Sequence, residues 1–232
     1  MTAVTAVPPM LVQLVKTSAS LAACYMFASP MHDIRRVHRS KTTGTMQLLP
    51  LLSMFGNCAC WTMYGLLARA YFPLMATNAV GLGFSTLYWI VYHRHSPPAQ
   101  KPMVRKQMTM VLAALVVLGL YPTFSVAPRK VVQANIGYVA IGVCTIMFAS
   151  PLAVVKQVVQ KKNADLLPFG MIVAGFVNSV LWLSYGFILA DNFVIMPNVV
   201  NLVLGSIQLA LFCIFPKQRR YEHVLNQSEA KV

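Results

Sequence analysis

Acidic residues are nearly absent from this chain. Its 232 positions hold five Asp and Glu against 19 Lys and Arg, and charged residues of either sign make up only 10%. Soluble domains carry roughly 25% charged residues, so an ordinary water-facing surface is excluded. The carboxylates are Asp33, Asp165, Asp191, Glu222 and Glu229, and the histidines are His32, His38, His93, His95 and His223. All sit at the ends of long apolar runs or in the C-terminal tail. No paired acids, metal cluster or nucleophile–base arrangement falls within an apolar run, so catalysis, a bound metal and a cofactor are not expected. Cysteine is scarce too. Cys24, Cys58, Cys60, Cys144 and Cys213 all lie in apolar runs and read as free packed thiols rather than a disulfide framework. Cys58 and Cys60, two apart on a helix, face away from each other and cannot chelate.

What is present is apolar length. The chain is 57% hydrophobic with a mean hydropathy of +0.63, which excludes disorder. Uncharged stretches cover 17–32, 42–68, 70–92, 107–128, 131–155, 166–190 and 192–216. Six of them are long enough for a helix to cross about 30 Å of hydrocarbon. The first reaches that length if it begins near Met10 and Lys16 snorkels to the surface. Membrane strands would be about 10 residues long and alternate in polarity, which these are not. The expected fold class is an all-α integral membrane protein with seven transmembrane helices. The opening MTAVTAVPPM has no basic stretch, so a cleaved signal peptide is not expected.

The net charge of +14 would suggest nucleic acid in a soluble protein. Here the cations flank apolar runs, which is an orientation signal instead, and no nucleic-acid partner is expected. With the N-terminus outside, one face holds Arg35, Arg36, Arg39, Lys41, Arg94, Lys101, Arg105, Lys106, Lys156, Lys161, Lys162, Lys217, Arg219, Arg220 and Lys231. The other keeps only Lys16, Arg69, Arg129 and Lys130. The C-terminus, with the sequon at Asn226, is therefore expected in the cytosol, where that sequon stays unglycosylated.

The chain is also duplicated. Met26-Phe27-Ala28-Ser29-Pro30 recurs letter for letter as Met147-Phe148-Ala149-Ser150-Pro151. At the same offset of 121, Asn57 matches Asn178, Trp61 matches Trp182, and Tyr64-Gly65 matches Tyr185-Gly186. Leu48-Leu49-Pro50 matches Leu166-Leu167-Pro168, and Asn78 matches Asn198, at offsets of 118 and 120. Three crossings per repeat and one between them let both repeats enter the membrane from the same side. The expected layout is a first three-helix repeat over 10–95, a linker with the fourth helix over 96–130, a second repeat over 131–215 and a tail over 216–232. The pseudo-twofold axis then lies along the membrane normal, and a solute site near the midplane is expected between the halves.

These motifs resemble the SWEET sugar facilitators of the PQ-loop superfamily, themselves a named instance of the parallel-repeat class. The carriers are FASP at 27–30 and 148–151, LLP at 48–50, WTMYG at 61–65, LLPF at 166–169, WLSYG at 182–186 and MPNVV at 196–200. The resemblance spans roughly Ser20 to Phe215. It implies two parallel three-helix bundles joined by an inverting linker helix (3+1+3), carrying sugars, hexose or disaccharide, downhill by alternating access. The absence of a titratable group mid-span independently disfavours proton coupling.

Candidate site residues follow. Asn78 and Asn198 offer amides suited to sugar hydroxyls; interhelical hydrogen bonding is the alternative. Trp61 and Trp182 lie well inside their spans, away from the interfacial belt, and can stack on a pyranose face. Asn57 and Asn178 precede them by one turn and must meet substrate, water or another helix. Met26 and Met147 are weaker pocket-lining candidates. The resemblance makes Pro30, Pro50, Pro151 and Pro168 a hinge set, against the alternative of static kinks or helix ends. It also makes Tyr64 and Asp191 an extracellular gate, against the alternative of an interfacial tyrosine and a solvated loop aspartate. Gly137 matches a family glycine linked to assembly, with close packing as the alternative, so a homo-oligomer is one possible state. Membrane lipid is the other expected partner. The plasma membrane is the expected location, with the Golgi or another internal membrane as the alternative.

Two competing readings remain at this point. A PQ-loop amino-acid or small-solute carrier would need an acidic residue and a prolyl-glutamine pair, where this chain has Ser-Pro-Met and Ser-Pro-Leu. A seven-helix receptor fits the topology but not the duplication.

Overall fold

The computed structural model describes residues 7–215, all of whose regular elements are helices. The tail beyond Phe215, with its cations and the sequon at Asn226, lies outside the described residues. Helix α1 spans Pro9–Ala28, α2 Met31–Ser40, α3 Leu49–Leu67, α4 Ala76–His95, α5 Lys101–Phe124, α6 Arg129–Lys161, α7 Phe169–Leu189 and α8 Asn192–Ile214. A wide turn over Tyr71–Met75 leads into α4, and a short 3₁₀ turn over Ala164–Leu166 precedes α7.

Local chemistry sets the ends. Proline lies in the first turn of α1, α3 and α5 and immediately before α6 and α7, where its missing N–H costs no helical bond. Among the described residues four non-glycine positions have left-handed backbone: Lys41, Arg69, Lys162 and Ala190, with φ of 58°, 55°, 49° and 51°. Such residues are uncommon. Lys41 and Lys162, and likewise Arg69 and Ala190, are each 121 positions apart, so the duplication extends to rare backbone geometry.

The packing has the same symmetry. Within the first repeat α3 packs on α4 and α1 on α4; within the second, α7 packs on α8 and α6 on α8. Between repeats α1 packs on α7 and α3 on α6, the pair of contacts that a twofold exchange of the repeats generates. Helix α5 leans on α3, α4 and α6 as the linker. The architecture is 3+1+3. A buried cluster fills one end of the seam, including Ala19, Trp61, Tyr64, Ile136, Ala140, Trp182, Tyr185 and Val194.

Three differences from the sequence expectations have physical causes. The charge-free run from 42 shortens to a helix starting at Leu49, because Pro50 pre-sets a helix start and Gly44, at φ 52°, belongs to a turn. Helices α5 and α6 run past their uncharged stretches to Lys101 and Lys161, since backbone bonding does not stop at the interface and long cations snorkel. Among the described residues, six helical segments are apolar enough to count as spans by composition. Helix α3 is not one of them, because Asn57, Trp61, Thr62 and Tyr64 dilute it. Shielded by α4 and α6, it makes the seventh crossing.

Candidate functional site

A cavity of about 140 Å³ lies in the seam between the repeats. The first repeat contributes Asn57 and Trp61 from α3 and Asn78 from α4; the second contributes Asn178 and Trp182 from α7 and Asn198 from α8. Met26 also lines it. With Asn201 of α8, seven amide or indole side chains converge among largely apolar neighbours, the composition expected of a small-molecule pocket.

Asn78 and Asn198 are held identically. Asn78 Nδ2 donates to the Leu74 carbonyl and Asn198 Nδ2 to the Val194 carbonyl, each at 2.8 Å. Leu74 and Val194 are themselves repeat mates and line the cavity. One N–H of each amide fixes the rotamer, leaving the carbonyl oxygen and the second N–H for a ligand. The tryptophans are also matched. Trp61 meets Tyr64 edge-on at 5.6 Å and 80°, and Trp182 meets Tyr185 at 5.7 Å and 86°.

The symmetry fails at Asn57. Its Oδ1 accepts from Trp61 Nε1 at 3.1 Å and from the Cys144 thiol of α6 at 3.0 Å. This amide is therefore engaged by its own helix and by the opposite repeat. In the second repeat Asn178 Oδ1 is buried with no hydrogen-bond partner. The repeat mate of Cys144 is Ala23, which lines the cavity without a donor.

The two ends of the seam differ as well. At one end the Tyr64 hydroxyl donates toward the Asp191 carboxylate, 2.9 Å from Oδ1 and 2.8 Å from Oδ2. Gln133 Nε2 donates to the same hydroxyl at 3.4 Å, and the buried cluster closes around Tyr64. At the other end the cavity continues into a space of about 450 Å³ bordered by Met147, Pro151 and Pro168. Met147 borders this wider space and not the inner cavity. The molecule is sealed at the Tyr64 end and hollow at the Pro151 end.

The four prolines occupy unlike backbone positions. Pro50 lies in the first turn of α3 and Pro168 caps α7, so neither kinks a helix. Helix α1 stops at Ala28 and α2 restarts after Pro30, whereas Pro151 lies inside the unbroken α6. The same pentapeptide thus interrupts the helix at Pro30, where Ser29 and Pro30 keep right-handed dihedrals, but not at Pro151. Pro30 and Pro50 border neither space.

Two cavity residues escape the repeat comparison. Cys144 is not a bland packed thiol but a cross-repeat donor. Asn201 borders both spaces; its signal was its position three residues after Asn198, on the same helix face. Gly137 has a packing role: a Cβ there would collide with the Phe193 ring.

The family model described as a sugar efflux transporter for intercellular exchange matches twice, over residues 13–100 and 134–220. The chain belongs to the SWEET family. It is 28% identical over 205 residues to the sugar transporter SWEET1 of Drosophila pseudoobscura pseudoobscura, covering 88% of this chain and 89% of that one. It is 30% identical over 202 residues to the bidirectional sugar transporter SWEET2 of Arabidopsis thaliana, covering 85% and 84%. The 3.7 Å structure of a eukaryotic SWEET transporter superposes with a TM-score of 0.77 at 25% identity, covering 88% of this chain and 98% of that chain. This SWEET member is an integral, multi-pass membrane protein.

Proposed function

We propose that the chain carries sugars, hexoses such as glucose foremost, down their gradient in either direction by alternating access. The observation that carries this reading is the cavity between the repeats, lined by paired asparagines and tryptophans, sealed at the Tyr64 end and open toward Pro151. In this proposal Asn78, Asn198 and Asn178 hydrogen-bond sugar hydroxyls, Trp61 and Trp182 stack on the ring, and Asn57 orients Trp61. Met26 and Met147 shape the route. Tyr64 and Asp191 form the gate, and Pro30, Pro50, Pro151 and Pro168 are the places where the backbone adapts as the halves rock. The helix interruption at Pro30, absent at Pro151, supports that hinge role.

The charge bias supports an outside N-terminus and a cytosolic C-terminus, making Tyr64 the extracellular end and Pro151 the cytosolic one. The plasma membrane is the proposed location. The units of motion are the repeats over 10–95 and 131–215. Lipid covers exposed apolar side chains such as Val116, Val117 and Leu120 of α5. A homo-oligomer is compatible with the mechanism but not required by it, since one chain holds the whole cavity. No enzymatic step or cofactor enters the proposal.

Tracer glucose uptake into proteoliposomes without ion or pH gradients tests it. Saturable uptake ending at equal concentrations supports it. Inert glucose, fructose and sucrose would overturn it in favour of a PQ-loop amino-acid carrier.

A further inference from the structure

The two halves of the cavity are matched in position but not in available hydrogen-bonding groups. In the first half the Asn57 carbonyl is taken by Trp61 and by the Cys144 thiol. In the second half the equivalent Asn178 carbonyl is buried and unpartnered, because Ala23 stands where a second thiol would be. The same imbalance recurs one layer away. Asn201 borders the cavity, and among the described residues no protein group hydrogen-bonds its amide. Its mate at the offset of the Asn78–Asn198 pair is Gly81. A Cβ at Gly81 would lie 2.7 Å from both the Phe27 ring and Cys58 Sγ, so no side chain can reach the cavity from there. Leaving the Asn178 carbonyl unpaired is unfavourable, and the unengaged Asn201 amide lies in the same half, which points to an occupant whose hydrogen-bonding groups are richer on this side.

Resting on the sugar-transport reading above, we infer that sugar binds in one orientation, its hydroxyl-rich edge against Asn178 and Asn201. Asn201 is then a further substrate-contacting, specificity-determining residue. Cys144 is a positioning residue that enforces the asymmetry by withholding Asn57. A site that hydrogen-bonds a hydroxyl rejects the analogue lacking it, because its own polar group is left unpaired.

The test is competition by glucose and a set of monodeoxyglucoses, each lacking one hydroxyl, against tracer glucose counterflow. It is run on wild type, Asn201→Ala and Cys144→Ala. Potency ratios within one variant cancel differences in the amount of folded protein. Wild type is expected to lose about tenfold in potency at the hydroxyls that are read, one hydrogen bond's worth. In Asn201→Ala one of these penalties should vanish while the others stay. In Cys144→Ala the Asn57 carbonyl keeps its bond to Trp61 but regains one acceptor position, which should shift the pattern to include a hydroxyl to which wild type is indifferent. An unchanged pattern in both variants would overturn the inference while leaving sugar transport intact. Wild-type protein that carries no sugar would instead overturn the reading on which it rests.

Discussion

The Tyr64 hydroxyl and the Asp191 carboxylate, 127 positions apart, meet at 2.8–2.9 Å and join α3 of one repeat to the start of α8 in the other. This contact has no symmetric copy. The repeat mate of Tyr64 is Tyr185, but the residue 121 positions before Asp191 is Ala70. The latch therefore has no twin, and the Arg129 guanidinium of α6 supports the same end by donating to the Leu67 carbonyl of α3 at 3.0 and 3.2 Å.

Removing the latch should favour opening at that end. Asp191 also caps α8 by accepting from the Phe193 N–H at 2.9 Å. Asn retains that cap, so Asp191→Asn isolates the latch. A hydrogen bond to a charged group contributes about 1.5–3 kcal/mol. Tyr64→Phe and Asp191→Asn should each shift the ratio of KM values for influx and efflux by about tenfold or more. The double variant should match the single ones; fully additive shifts would show that the residues act separately.

Asn78 and Asn198 are rotamer-locked by equivalent backbone bonds, so the pair should act as one device. Asn198→Ala and Asn78→Ala should each lower the tracer glucose exchange rate by about tenfold or more, with unchanged detergent-solubilised thermal stability. Loss of transport accompanied by a comparable loss of stability would favour the helix-gluing role instead.

The tryptophans should not respond alike to loss of the indole N–H. Trp61→Phe keeps an aromatic face but abandons Asn57 Oδ1, at a cost of about 1 kcal/mol for the broken bond. It should therefore raise KM more than Trp182→Phe does. Equal effects in uptake kinetics would show that the Asn57–Trp61 bond has no part in shaping the site.

Gly137 should report packing within one chain. The Phe193 ring that a Cβ would strike is wedged against Tyr64 at 5.5 Å and Tyr138 at 5.1 Å between ring centroids, so it cannot move aside freely. Overpacking of this kind costs about 1–3 kcal/mol. Gly137→Ala should lower the melting temperature, and Phe193→Leu in the same chain should recover part of the loss. A variant of full stability but altered oligomeric state would assign Gly137 to assembly.

What the sequence disclosed was whatever occurs twice. The MFASP pentapeptide, the Trp-x-x-Tyr-Gly pairs and Asn78 with Asn198 stand out because each has a copy, and all the paired asparagines and tryptophans line one cavity. What it hid was whatever occurs once. Cys144 has an alanine as its mate and Asn201 a glycine, so a comparison of the repeats passes over both. The engagement of Asn57 was hidden for a related reason: identical letters at 57 and 178 say nothing of the unlike neighbours across the seam. The prolines show a further limit, since the same pentapeptide interrupts the helix at Pro30 but lies inside the unbroken α6 at Pro151. Helix α3 was legible as a charge-free run, although the site residues it carries leave it outside the six segments that count as spans by composition.

The central claim is that one sugar site faces the two sides of the membrane in turn. Counterflow tests this most directly: proteoliposomes loaded with unlabelled glucose are diluted into trace labelled glucose, with no ion gradient. The account predicts that labelled glucose rises transiently above its equilibrium level and then decays, in wild type and not in Asn198→Ala. A monotonic approach to equilibrium, or no entry at all, would contradict it.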